Sequence, residues 1–334
     1  MAISDKQSII QWLTAFFERL ERNFPSRSKQ TLGERSPEKS VSDQPVGTVQ
    51  PTISLVLHWL GIGDIVVCGA IVRGLASQFP DYQVEFYLHA NRVFDVHRFI
   101  DWAQLVWPHC YITNDGVVPG RKLEIGRPGD ADSDPERQGI KGLRHDLWAG
   151  MCGTKAIDYT ITPDRESLYS AQAMLKDMGL DLDKPIAYLS PVTANRWRNW
   201  PIEKWLVVEA NLREHGVQVL IGALKPEPWA PQEQLAKFKS PYFIGKHSPP
   251  VLLGILHLTD VIVSNDSGFA HLGGVLDKPT VAVCGGNYDG HAVFGFYRSV
   301  EVVQANSRLI DDVSTGRVLD TVMPKLKTRN SETG

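Results

Sequence analysis

Hydrophobic positions in this chain fall into short β-branched runs separated by longer amphipathic stretches, and the alternation begins only after residue 52. The run Ile53 to Trp59 predicts a buried strand, Ile65 to Phe79 a helix, and Val84 to His89 a second strand. Short segments continue this series to a strand expected over Ile157 to Thr162. A helix over Glu166 to Met178 and a loop from Gly179 to Pro185 lead into a second series. It comprises strand Ile186 to Leu189, helix Ile202 to His215, strand Val217 to Ile221, strand-like Tyr242 to Ile244 and helix Pro250 to Leu258. Then comes a compact βαβ unit: strand Val261 to Val263, polar turn Asn265 to Gly268, helix Phe269 to Leu276 and strand Thr280 to Val283. A last helix is expected over Val313 to Lys325. Two successive βα series of similar size predict an α/β chain of two doubly wound, Rossmann-like domains facing a cleft, over residues 53–182 and 183–334.

The first fifty residues follow a different pattern. Between Ser8 and Phe24, Ile9, Ile10, Trp12, Leu13, Phe16, Phe17 and Leu20 share one helical stripe, with Glu18, Arg19, Glu21 and Arg22 beside it. Residues 1–24 are therefore expected as an amphipathic helix whose stripe needs a cover: the protein's own body, a partner helix, or a membrane interface. Residues 25–52 are rich in Ser, Lys, Glu, Gln, Pro and Gly and poor in large apolar side chains, the composition of a disordered, flexible linker. Arg121 to Arg144 is also polar and rich in Gly and Pro. It reads as a long irregular loop suited to shaping an acceptor site.

Composition narrows the class. At 334 residues and 43% hydrophobic content the chain can fill two cores, and 35 basic against 38 acidic residues argue against a nucleic-acid partner. Cys68, Cys110, Cys152 and Cys284 have no metal-ligand spacing and read as buried thiols in a reducing compartment. There is no apolar run near the roughly 20 residues that cross a bilayer, and no secretory leader pattern, so a cytoplasmic location is expected. No metal-ligand triad or phosphate-binding Walker loop is present in the sequence, so neither metal nor cofactor is expected.

Candidate chemistry gathers at strand-to-helix corners. Gly61 and Gly63 let backbone approach a ligand closely, and Asp64 follows them at the carboxyl edge of the first strand, as a helix cap or as a ligand-facing carboxylate. In the βαβ unit, Asp266, Ser267, Gly268 and, one turn later, His271 are expected on the rim of a helix N-terminus, where unpaired N–H groups favour a phosphate. Capping by Asp266 with a structural His271 is the plainer alternative. Arg198, just before Trp200-Pro201, can grip phosphate oxygens; Arg196 and Thr193 are further candidates or surface residues. Trp197, Trp200 and Trp205 read as packing residues.

Three of these segments, in this order, resemble one family. Leu55 to Val66, with Gly61-Ile-Gly63-Asp64, Tyr188 to Trp205, with Arg198 before Trp200-Pro201, and Asp266-Ser267-Gly268 with His271-Leu272 are similar to glycosyltransferase family 9, the heptosyltransferases and their relatives. The likeness runs from about Ile53 to near Leu326. It implies a GT-B fold whose final helix returns to the first domain, and a metal-independent, inverting transfer. Asp64 would be the general base, and Arg198 would stand where family members more often have lysine. Thr193, Arg196, Asp266, Ser267, Gly268 and His271 would bind the nucleotide-sugar donor. It further implies ADP-heptose as donor, a lipopolysaccharide-like or lipid-linked glycan as acceptor, and work at the inner face of the cytoplasmic membrane, with residues 8–24 touching membrane or protein. The segment after Gly286 is shorter than in many relatives, and the amphipathic start is not a standard part of the family. Two rivals remain: a dinucleotide-dependent enzyme with Gly61-x-Gly63 on a pyrophosphate and Glu85 on the ribose, and a non-catalytic scaffold.

Overall fold

The computed structural model describes residues 50–58, 61–90, 96–126, 142–157, 160–223, 232–245 and 247–327. The expected N-terminal helix and linker lie outside them. The first half contains β1 (Thr52–Leu57), α1 (Ile62–Gln78), β2 (Gln83–His89), α2 (Ile100–Val106), β3 (Cys110–Thr113), β4 (Arg121–Ile125), α3 (Arg144–Met151) and α4 (Arg165–Asp177). The second contains β5 (Ile186–Ser190), α5 (Ile202–Glu214), β6 (Gln218–Ala223), α6 (Gln232–Leu235), β7 (Tyr242–Ile244), α7 (Pro249–Leu258) and β8 (Val261–Asn265). It ends with α8 (Gly268–Val275), β9 (Thr280–Cys284), α9 (Gly290–Phe294), β10 (Val300–Gln304) and α10 (Thr315–Lys327).

The strands form two sheets, ordered β3-β2-β1-β4 and β10-β9-β8-β5-β6-β7. Every pairing is parallel; Leu55 lies opposite Phe86 and Leu123, and Val263 opposite Leu189 and Val281. Parallel strands with helices on both faces are buried throughout, which is why β5, β8 and β9 read as continuous apolar runs instead of alternating ones. All the strand ends that carry candidate residues point to the same kind of edge, the carboxyl edge at which open α/β sheets bind ligands.

The apolar core is in two parts, and their division does not follow the sheets. One cluster joins the first sheet to the inner helices of the second domain, with Leu55, Phe86, Ile65 and Ile71 continuous with Leu253, Phe269, Leu272 and Phe294. The other lies under α5 and α10, with Trp200, Trp205, Val263, Val318 and Val322. The seam between domains is therefore hydrophobic core, with α8 against α1, α7 against α4 and α2, and α9 against α3. Close approach depends on missing side chains: a Cβ on Gly254 would lie 2.8 Å from Ser167 O, and one on Gly268 would lie 2.7 Å from Ile62 Cβ.

Several expectations change. Among the described residues the final helix packs on the second domain. Val318, Val322 and Leu326 form a stripe that fills the outer face of the second sheet beside α5. Residues 121–125, expected as loop, form the edge strand β4, whose alternation of Lys122 and Glu124 with Leu123 and Ile125 suits a strand covered on one side. The strand expected over Ile157–Thr162 is not formed among the described residues. Instead Ile157 N–H bonds Ala70 O in the first half and Ile161 N–H bonds Val275 O in the second. The four cysteines are buried free thiols.

Candidate functional site

The start of α1 is built for close contact. Gly61 is its N-cap in extended conformation, and its carbonyl accepts the Ile65 N–H. Asp64 lies in the first turn and leans back over it: a Cβ on Gly61 would lie 2.9 Å from Asp64 Oδ2. The carboxylate keeps about a quarter of its surface in solvent and has Arg144 Nη1 at 4.0 Å from Oδ1. Gly63 is pressed on the other domain, where a Cβ would lie 2.5 Å from His271 Cδ2.

The start of α8 meets it across the seam. Ser267, not Asp266, caps this helix, accepting the Phe269 N–H on its hydroxyl while that hydroxyl shares a 2.8 Å hydrogen bond with Ser264. Asp266 is left as a buried carboxylate beside the turn. It accepts a hydrogen bond from Tyr288 OH and an ion pair from Arg198 Nε at 3.2 Å. Burial raises its pKa above the usual carboxylate value, opposed by Arg198 and then Arg144. Gly268 rests on Ile62, so the positive ends of two helices converge on one spot.

Arg198 reaches this spot from a short 3-10 turn, Arg196–Arg198, held by local polar bonds. Asn195 caps it through Trp197 N–H, and Asn199 Oδ1 accepts the Thr193 N–H. The Thr193 hydroxyl donates to Asn195 O and accepts Asn195 N–H, so this buried side chain is spent on the turn itself. Asn265 ties the turn to β8 by donating to Pro191 O and accepting Trp200 N–H. Trp200 and Trp205 are buried edge to face, as expected of packing residues, but Trp197 is 78% exposed. The Arg198 guanidinium lies over the Tyr288 ring at 5.7 Å.

Arg196 is exposed and lines, with Trp197, Glu203 and Arg308, a cavity of about 700 Å³ beside the turn. His271 is not on the rim but beneath it, buried against Phe294 and bonded through Nδ1 to Tyr297 OH at 3.0 Å. Burial, with help from Arg144, Arg198 and His145, pushes its pKa down to about 3, so the ring is neutral at physiological pH. Helical periodicity places the fourth residue after Ser267 on the same face as the turn, but α1 covers that face.

The structure thus gathers Asp64, Arg198, Asp266, Ser267 and Gly268 at the seam and adds Arg144 and Tyr288, which sequence patterns miss. Arg144 ends a polar stretch and has no motif around it. Tyr288 sits in a segment notable in sequence only for brevity. Glu85 is buried inside β2 with its carboxylate bonded by Gln83 and Tyr87, which leaves no ribose-binding acid where a dinucleotide fingerprint requires one. Among the described residues no group of three or more His, Cys, Asp or Glu is arranged to hold a metal ion, and no helix is long and apolar enough to cross a membrane.

Two domains of this kind with a site in their seam define the GT-B architecture. Residues 155–304 match the model of glycosyltransferase family 9 (heptosyltransferase), a span that contains Arg198 and Asp266 to His271. The fold is similar to that of ADP-heptose lps heptosyltransferase II from E. coli, at 15% identity over 83% of this chain and 99% of that one, with a TM-score of 0.62. It is also similar to a family 9 glycosyltransferase from Veillonella parvula, at 13% identity over 83% and 97%, with a TM-score of 0.60. The iron-containing dodecameric glycosyltransferase TibC from enterotoxigenic E. coli matches at 12% identity over 84% and 77%, with a TM-score of 0.57. No curated protein matches the chain.

Proposed function

We propose that this chain is an inverting glycosyltransferase that moves a sugar from a nucleoside-diphosphate donor to a glycan acceptor. The observation that carries this reading is the convergence of the starts of α1 and α8 on one spot, with Asp64 on one side and the Arg198–Asp266 pair on the other. Helix N-termini and a guanidinium attract a diphosphate, and a partly exposed carboxylate nearby is suited to take a proton. The donor is read as ADP-heptose and the acceptor as a lipopolysaccharide-like cell-envelope glycan, following the family match and the name of the E. coli neighbour.

In the transfer, the acceptor hydroxyl gives its proton to Asp64 as its oxygen bonds the anomeric carbon. The bond from that carbon to the diphosphate breaks, and its electron pair leaves on the nucleoside diphosphate. Attack from the opposite face inverts the anomeric centre in one displacement. Arg198 and the α8 start stabilise the departing charge, so the proposed reaction needs no metal. Asp266, bonded by Tyr288, holds Arg198 in place; Thr193 serves through the turn, and His271 through the packing beneath it. Arg196 is read as a further donor contact beside the turn. The first domain (53–182) supplies the acceptor side and the second (183–334) the donor side, at the inner face of the cytoplasmic membrane, with residues 8–24 as the contact to membrane or protein.

Thermal-shift titration with ADP, UDP, GDP and NAD tests this reading, because a ligand that binds only the folded state raises its apparent stability. A selective response to one nucleoside diphosphate, lost in Arg198→Ala, is expected. A response to NAD alone would transfer the protein to the dinucleotide class, and silence from all four would leave a scaffold.

A further inference from the structure

Arg144 is a charged side chain at the seam to which the proposed reaction assigns no task. It is the first residue of α3, and this turn is docked on the second domain. A Cβ on Gly295 would lie 3.0 Å from Leu143 Cδ2, and the His145 ring is 3.8 Å from that of Phe296. The backbone of Arg144 is therefore held at the seam from both sides. Its side chain, only 20% exposed, lies over Trp148 at 5.6 Å and comes within 4.0 Å of Asp64. Its charge is also felt by Asp266 and His271, together with that of Arg198.

A guanidinium so placed stands between the carboxylate of α1 and the anion-favouring start of α8. We propose that Arg144 is a second cation of the diphosphate site, and that an arriving donor draws it from Asp64 to the diphosphate oxygens. This rests on the glycosyltransferase reading above. A diphosphate concentrates more negative charge than one carboxylate and offers paired oxygens to a planar fork, so the exchange favours the donor. While the guanidinium lies against Asp64 it competes for the lone pairs that must accept the proton of the acceptor hydroxyl. Donor binding then does two things at once: it completes the counter-charge for the leaving group and uncovers the base. The order of events becomes donor first, acceptor second.

The test is calorimetric binding of ADP, UDP and GDP and of their monophosphates to the full chain, wild type, Arg144→Gln and Arg144→Lys, at two salt concentrations. Losing a charge-assisted contact in Arg144→Gln should weaken the preferred diphosphate by roughly ten- to a hundredfold. The monophosphate should be nearly unaffected, the salt dependence of diphosphate binding should fall, and Arg144→Lys should recover part of the loss. Unchanged diphosphate affinity in Arg144→Gln, or equal losses for mono- and diphosphate, would overturn the proposal while leaving the transferase reading intact. Failure of the wild type to bind any nucleoside diphosphate would remove both. If Arg144→Gln does not fold, Arg144→Lys decides: weaker diphosphate binding at an unchanged melting temperature supports the role, and wild-type affinity overturns it.

Discussion

Gly63 and His271 touch across the domain seam so closely that a side chain at residue 63 would force a shift: a Cβ there would lie 2.5 Å from His271 Cδ2 and 2.7 Å from Nε2. The imidazole cannot easily withdraw, because Phe294 and Tyr297 close its other sides. Gly63→Ala should therefore destabilise the protein by about 1–3 kcal/mol, the usual cost of overpacking a tight core. Urea denaturation measures this. The double variant with His271→Ala should recover part of the loss, and strict additivity would show that the contact is not the cause.

Asp64→Asn keeps the size of the side chain and removes its ability to accept a proton. Transfer to a glycan acceptor should fall by roughly 10²–10⁴-fold in kcat, the span of a lost general base, with nucleotide affinity retained. Equal losses in binding and turnover would assign Asp64 to the structure of the α1 start.

Acid should weaken the fold through two buried imidazoles. Burial lowers the folded pKa of His271 to about 3 and that of His145 to about 4, from an ordinary 6.5. Below pH 6.5 the unfolded chain binds protons that the folded chain refuses, so stability falls with decreasing pH until the folded pKa values are reached. The slope is about 1.4 kcal/mol per pH unit for each such group. Denaturation at pH 7 and pH 5 should show this loss, and His271→Gln should make it shallower. An identical pH dependence in that variant would exclude His271 as a source.

Removing residues 1–50 takes away the stripe of Ile9, Trp12, Leu13, Phe16 and Phe17. The shortened chain should bind nucleotide as the full chain does and sediment less with anionic liposomes. Equal sedimentation of both would place the contact of residues 8–24 on protein.

Much of the architecture is legible because parallel strands announce themselves: Ile186 to Leu189 and Val281 to Val283 are runs of apolar or aromatic residues, as strands buried on both faces favour. Gly61, Asp64 and the turn at Asp266 are legible because a strand-to-helix corner restricts the residues that fit. What local pattern leaves open is decided by packing between distant segments. The rim position expected for His271 follows from helical spacing, but spacing does not reveal that α1 arrives on that face. The final helix carries an apolar stripe that specifies a partner surface without naming it, and the sheet beside α5 supplies the nearer one. Arg144 acquires a neighbour in Asp64 only through the docking of α3, which no run of residues encodes.

The apolar cluster that runs from Leu55 to Phe294 without a break at the seam has a practical consequence for dissection. The segment that carries the family match is not a separable module. Cut free of the residues before it, it keeps α4 on α7 but bares the face of α8, at Gly268 and His271, that packs on α1. With that face of α8 bared, the fragment should be less stable than the intact protein, which should melt in one cooperative step on heating.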